Sequence, residues 1–210
     1  MTITAINVSQ WSKVATRYVK DSTDALILVS EHHLVESKTS KMGWQCRQHG
    51  YTPIISAAFQ TEYDSHRAGT MILVANWWQS SVNPIDTQVW EALNLSPEQK
   101  ARIIACQVNL PGQIGIMVAC VYGYHMEGLS DANRSLLHSL TVLIRTVGLP
   151  TIVGGDFNLT VAELETSGFL NHNALVRMSL DSTTCLEGQG RCLDHILASL
   201  PYRDSDAMPT

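Results

Sequence analysis

Residues 25–29 are five consecutive apolar side chains, Ala25-Leu26-Ile27-Leu28-Val29. A run that short and unbroken is the pattern of a β-strand covered on both faces, so the chain must place other layers on either side of a sheet. The remaining pattern mixes strands with helices. Residues 2–8 alternate polar and apolar side chains as a strand, and 54–59 and 70–75 are further strand candidates. Ile104, Cys106, Val108 and Leu110 alternate up to Pro111-Gly112, and 114–122 runs apolar beyond that turn pair, which is a hairpin signal. Residues 151–153 form a strand that runs into Gly154-Gly155, and 191–199 is the last strand candidate. Trp11, Val14, Ala15, Tyr18 and Val19 fall at helical spacing. Leu136, Leu137, Leu140, Leu143, Ile144 and Val147 stripe a longer helix that Gly148 closes, with Pro150 beyond it. Thr160, with Glu163 three residues on, is a capping box that opens another short helix. Segment 77–99 reads as loop with a short helix. Two strand pairings come out antiparallel, so a Rossmann-type parallel sheet is not required.

With 210 residues and no repeat, linker or low-complexity tract, the expectation is one domain over 1–210. Hydrophobic residues at 45% against 16% charged exclude disorder. No apolar run approaches the roughly 18 residues of a membrane span, and Met1 to Asn7 lacks the basic start of a secretory signal. Cys46, Cys106, Cys120, Cys185 and Cys192 are odd in number and show no C-x-x-C spacing. They read as buried or free thiols in a reducing, intracellular compartment, with no disulfide framework and no zinc site. The net charge of −5, with no block of Lys or Arg, counts against tight non-specific nucleic-acid binding. It does not exclude nucleic-acid chemistry, because a carboxylate-rich metal site contributes negative charge of its own.

The strongest local signal is Gly154-Gly155-Asp156-Phe157-Asn158-Leu159-Thr160. A buried strand ends at two glycines that let the backbone turn, and a carboxylate and a carboxamide then project together. Phosphodiester hydrolysis needs a group to orient or deprotonate water, and donors aimed at the oxygens where charge develops. Asp156 and Asn158 can supply both. By itself the segment is also an ordinary strand-to-loop turn, where Gly, Asp and Asn are common.

The flanking chain supplies the rest in order. Ile3-Thr4-Ala5-Ile6-Asn7-Val8 is a strand ending in an Asn; 25–34 is a strand followed by Glu31-His32-His33; Ala68-Gly69-Thr70-Met71-Ile72-Leu73-Val74 follows a G-G-x-A-I-L-V pattern. Val121-Tyr122-Gly123 presents a Tyr, Gly155-Asp156-Phe157-Asn158 matches G-D-x-N, and 191–199 follows R-x-x-D-Y-I-L-x-S. Taken together, the chain resembles the endonuclease/exonuclease/phosphatase superfamily over nearly its whole length. Within it, Trp11-Ser12 and the paired His after Glu31 look most like the endonuclease domains of non-LTR retrotransposons. The resemblance implies a four-layer α/β/β/α sandwich of two mixed, largely antiparallel sheets with outer helices. It implies a Mg²⁺ (or Mn²⁺) ion held by Glu31 and Asp206, with Asn7, Tyr122, Asp156, Asn158, Asp194 and His195 as catalytic residues. DNA is then the partner, no membrane is involved, and the setting is nuclear.

Several of these residues have plain readings when taken alone. Asn7 would cap the helix beginning near Gln10 or Trp11. Tyr122 would be a core aromatic. Glu31 would be a solvated loop charge, although a single carboxylate suffices for Mg²⁺ when waters and phosphate complete its shell. Adjacent histidines in extended chain point to opposite sides, so His32 and His33 receive no metal role. His49, His66, His125, His138 and His172 read as surface or satisfied side chains.

The resemblance fails at the end. The family closes with S-D-H-x-P-V, whose His positions or activates the attacking water. Here Ser205-Asp206-Ala207-Met208-Pro209-Thr210 has Ala207 in that place. Truncation, natural loss and deliberate substitution all fit. In a rival alignment Asp194-His195 is the terminal pair, but the Ile-Leu-Ala-Ser that follows fits that poorly. Ser9 also stands where the family has an outer-sphere Asp. The expectation is therefore a DNA-nicking phosphodiesterase with an incomplete catalytic set. The alternatives are a catalytically silent homologue that binds nucleic acid or a partner, and a phosphatase of a small or lipid phosphate.

Overall fold

A computed structural model describes residues 2–63, 65–109, 112, 115–125, 127–178 and 193–199. In chain order the elements are β1 (Ile3–Asn7), α1 (Lys13–Asp21), β2 (Leu26–Ser30), α2 (Glu36–Gln48), β3 (Tyr51–Ser56), β4 (Phe59–Gln60), β5 (His66–Arg67), β6 (Thr70–Ala75), β7 (Ser81–Pro84), α3 (Thr87–Ala92), α4 (Pro97–Lys100), β8 (Ile103–Asn109), β9 (Ile116–Tyr122), α5 (Asp131–Val147), β10 (Thr151–Asp156), α6 (Val161–Thr166), α7 (Phe169–His172), β11 (Leu175–Arg177) and β12 (Asp194–Ser199).

The strands form a four-stranded sheet, ordered β1-β2-β6-β3, and a six-stranded sheet, ordered β11-β12-β10-β9-β8-β7; β4 and β5 pair as a small separate ribbon. Pairing is antiparallel except for β1 with β2 and β9 with β10. The two-residue period of a strand then sorts the core into three interfaces. Leu26, Leu28, Ile72 and Val74 of the first sheet meet Ile104, Cys106, Val108, Val118 and Cys120 of the second. The intervening residues Ile27, Val29, Met71 and Leu73 face the other way, onto Val19 of α1 and Met42 and Cys46 of α2. On the far side, Met117, Ala119, Val121 and Val153 pack against Leu136, Leu140 and Leu143 of α5 and Leu164 of α6. Helix, sheet, sheet, helix is the expected four-layer α/β/β/α sandwich.

Local chemistry explains the helix ends. Ser12 caps α1 by accepting from the Ala15 amide, and Thr160 and Glu163 complete a reciprocal capping box on α6. Gly148 closes α5 in the left-handed conformation (φ 66°) and donates to the Ile144 carbonyl. Thr4, Tyr18 and Ser22 all donate to the Asp24 carboxylate, which ties α1 to the start of the first sheet.

Several expectations are corrected. Asn7 does not cap α1, because that place belongs to Ser12. Val14, expected on the apolar stripe, is 78% exposed, and α1 instead buries Ala15 and Val19. The strand expected at 54–59 is β3, running from Tyr51 to Ser56, with Phe59 in the separate ribbon. The 77–99 segment holds the end of a 3-10 turn (Asn76–Trp78), β7, α3 and most of α4. Cys46, Cys106 and Cys120 are buried free thiols, and burial pushes them up to about 11, 12 and 12 respectively. Cys185 and Cys192 lie outside the described residues, as does most of the turn expected at Pro111. Among the described residues no helix is long and apolar enough to cross a membrane.

Candidate active site

The two parallel pairs, β1 with β2 and β9 with β10, bring their C-terminal ends to one end of the sandwich. Strand parity decides which side chains face inward there. Asn7 continues the inner face of Ile3 and Ala5, and Tyr122 continues that of Val118 and Cys120. Asp156 is level with Tyr122 on one side and with Asp194 on the other, so all three project from the same face of the second sheet. Glu31 follows the last residue of β2.

Two glycines permit this convergence. Gly155 has φ 135°, and a Cβ there would run into the Val121 carbonyl of the neighbouring strand. At Gly123 a Cβ would run into the Phe157 carbonyl, so the loops leaving β9 and β10 can touch only because a side chain is absent. Strain also gathers here. Ser9 (φ 49°), Glu31 (φ 62°), His33 (φ 55°) and Asn158 (φ 51°) are left-handed without being glycine, the pattern that marks over-determined functional backbones.

The polar groups interlock. Asn7 Nδ2 donates to Asp156 Oδ2 at 2.8 Å, linking the two sheets. The Asn158 amide donates to Asp156 Oδ1 at 2.9 Å, and Asn158 Nδ2 donates to the Gly123 carbonyl at 3.0 Å. Asn7 Oδ1 accepts from the Ser9 amide at 2.9 Å, so both ends of that carboxamide are used. Asp156 and Asn158 are buried. Tyr122 lies beside Glu31, and its pKa is raised by burial first, then by the neighbouring Glu31 carboxyl and the Asp156 charge. Among the described residues no three His, Cys, Asp or Glu side chains gather as a metal cage, so a hard cation here would rest on Glu31 with water and phosphate oxygens completing its shell. His33 Nε2 lies 3.6 Å from Glu31 Oε1.

Sequence reasoning missed Arg102. Its guanidinium is buried between the rings of Tyr122 and Tyr124, 5.0 Å and 3.9 Å from their centroids. It donates to the carbonyls of Tyr122 (3.4 Å) and Gly123 (3.0 Å) and to Glu98 Oε1 (3.0 Å). The Gly123 carbonyl that it holds is the one Asn158 also binds, so Arg102 fixes the segment carrying Tyr122. A lone Arg at a strand start gives no sequence signal of such a role. His125, read from the sequence as a surface or satisfied side chain, is exposed, and its Nδ1 lies 3.2 Å from Asn158 Oδ1.

Of the residues singled out in the sequence, the structure thus brings together Asn7, Glu31, Tyr122, Asp156, Asn158 and Asp194. His195 is not among them, which corrects its assignment as a catalytic imidazole. As the partner of Gly155 on β12 it faces the helix side of the sheet, fully buried, with its ring 5.8 Å from that of Phe157 and Nε2 2.8 Å from the Leu159 carbonyl. Burial lowers its pKa, as befits a neutral core histidine. His32 is likewise buried, between the Thr70 carbonyl and the Leu34 amide. Asp206 and Ala207 lie outside the described residues.

No protein-family model matches the chain, and no curated protein does. Solved structures do. The chain is similar to the AP endonuclease LMAP from Leishmania major, with a TM-score of 0.67 at 10% identity over 94% of this chain and 78% of that one. It is similar to TDP2 from D. rerio, solved with a single-strand DNA product, with a TM-score of 0.53 at 15% identity over 94% and 82%. An endonuclease/exonuclease/phosphatase family protein from Bacteroides thetaiotaomicron gives 0.56 at 12% identity over 94% and 81%. At such identities the likeness carries architecture alone. The chain has the endonuclease/exonuclease/phosphatase fold.

Proposed function

We propose that the chain is a divalent-metal-dependent phosphodiesterase, a DNA-nicking endonuclease of the non-LTR retrotransposon type. The observation that carries this reading is the Asn7–Asp156 hydrogen bond, which joins residues 149 apart in sequence at the sandwich end where Tyr122 meets Glu31. Glu31 would hold the metal, with Asp206 as a second contact. Bound there, Mg²⁺ or Mn²⁺ would polarise a phosphoryl oxygen and the leaving group. Asp156, its carboxylate fixed by Asn7 and the Asn158 amide, would orient and deprotonate water. Asn7, Asn158 and Tyr122 would steady the phosphate, and Asp194, level with Asp156, would orient a neighbouring group. DNA as substrate is favoured by the similarity to an AP endonuclease and to a structure solved with single-strand DNA product.

A second reading, a silent homologue that binds nucleic acid without cutting it, is favoured by the burial of His195 away from the site. A supercoiled-plasmid nicking assay with Mg²⁺, and again with EDTA, separates the two. Slow metal-dependent nicking that leaves a 3′-hydroxyl supports the endonuclease. Metal-dependent DNA binding without strand breaks supports the silent homologue. Release of phosphate from small or lipid phosphomonoesters, with DNA untouched, would replace both with a phosphatase.

A further inference from the structure

We propose that His125 is the imidazole of this site, and that it contacts the substrate phosphate through Nε2. The proposal rests on the phosphodiesterase reading above and adds a substrate-binding residue to it. Hydrogen-bond accounting at Asn158 carries it. Asn158 Nδ2 donates to the Gly123 carbonyl, an acceptor, which fixes which end of the carboxamide is nitrogen. Asn158 Oδ1 therefore faces His125 Nδ1 as an acceptor, and at 3.2 Å that nitrogen must be the donor. Whenever the ring is neutral the tautomer follows: Nδ1 carries the proton and Nε2 keeps its lone pair.

No described residue hydrogen-bonds Nε2, and the side chain is exposed. The ring is thus anchored at one nitrogen to the core of the site and open at the other. Its anchor is the residue whose amide also holds the Asp156 carboxylate, so His125 is two hydrogen bonds from the proposed water-handling group. The neighbouring groups at this end are the acidic side chains Glu31, Asp156, Asp194 and Glu127 and the phenols Tyr122 and Tyr124, both raised in pKa by burial first, while Arg102 is engaged with carbonyls and Glu98. A phosphate entering there needs a compensating charge beside the metal. His125 can provide it by taking a proton from solvent on Nε2, keeping it, and hydrogen-bonding through it to a non-bridging oxygen, without giving up its bond to Asn158. His33 is less suited, since its Nε2 is directed at the Glu31 carboxylate.

Long-range ¹H–¹⁵N spectra of the whole chain test the geometry without turnover. At pH 8 His125 should show the Nδ1-protonated tautomer, and inorganic phosphate with Mg²⁺ should move its Nε2 resonance toward the protonated position. An Nε2-protonated tautomer, or an Nε2 signal that phosphate leaves unmoved, would overturn the proposal. Plasmid nicking by His125→Ala should fall by about 10²–10³-fold, the usual loss for one charge-stabilising donor. His125→Gln, which keeps a donor, should recover part of that loss, and circular dichroism should show both variants folded because the side chain is exposed. His125→Ala nicking at the rate of the unmodified chain would also overturn it. If the unmodified chain cuts no phosphodiester while Nε2 still answers phosphate, the hydrolase reading falls and the phosphate contact stands.

Discussion

Replacing Arg102 with Met removes the guanidinium while leaving an unbranched stem of similar reach. The loss can be summed from its contacts. Glu98 is about one-third exposed (35%), so that ion pair contributes no more than about 1 kcal/mol. The stacking on Tyr124 at 3.9 Å and on Tyr122 at 5.0 Å is worth about 1–2 kcal/mol in a buried setting. The Gly123 carbonyl keeps Asn158 as a donor, and the 3.4 Å bond to the Tyr122 carbonyl is long, so the carbonyl bonds add about 1 kcal/mol. Arg102→Met should therefore cost about 3 kcal/mol. In a chain of this length that lowers Tm by about 6–12 °C. Urea unfolding followed by circular dichroism measures it, and Arg102→Lys should fall in between, because an ammonium cannot span two rings and two carbonyls at once. A loss below about 1 kcal/mol for Arg102→Met would refute the view that this side chain holds the Tyr122 segment in place.

Other consequences can be checked more briefly. Burial lowers the His32 pKa from 6.5 to about 4, so the folded state takes up its proton later than the unfolded chain. Its contribution is fully present above pH 6.5 and is lost as pH falls toward 4, by about 3 kcal/mol in all; His32→Gln should flatten stability against pH across that window, and an unchanged slope would contradict it. Gly155→Ala should abolish folding or lower Tm by more than 10 °C in a thermal melt, because its Cβ meets the Val121 carbonyl and its φ is 135°. His195→Asn should destabilise the chain in urea while leaving the nicking rate of the folded fraction unchanged; abolished nicking at full occupancy of the fold would restore the rival alignment.

The site was legible in the sequence where a strand ends. Asn7, Tyr122 and Asp156 each terminate an apolar or alternating run, and strand parity alone sends them to one face, so motif order and geometry agree. The sandwich was legible for the same reason, since both faces of 25–29 are apolar and need cover. What escaped notice had no periodic signature. Helix α2 buries only Met42, Gly43 and Cys46 across thirteen residues, too few for an amphipathic stripe, and it is held by packing on β3 and the first sheet. His125 and Arg102 make their contacts at the site with residues 33 and 20 positions away, which no local pattern encodes. His195 misled because Asp-His reads as a catalytic pair in one dimension, whereas alternation along β12 sends the two side chains to opposite faces.

The central claim is that Glu31 and Asp156 belong to one metal-dependent hydrolytic centre. Single-turnover nicking of supercoiled plasmid in Mg²⁺ by the unmodified chain, Glu31→Gln, Asp156→Asn and the double variant tests it most directly. Groups that act as a unit lose their effect together, so each single variant should fall by at least about 10²-fold and the double variant should be no slower than the worse single. Nicking by both single variants at the rate of the unmodified chain would contradict the account and put the chemistry elsewhere.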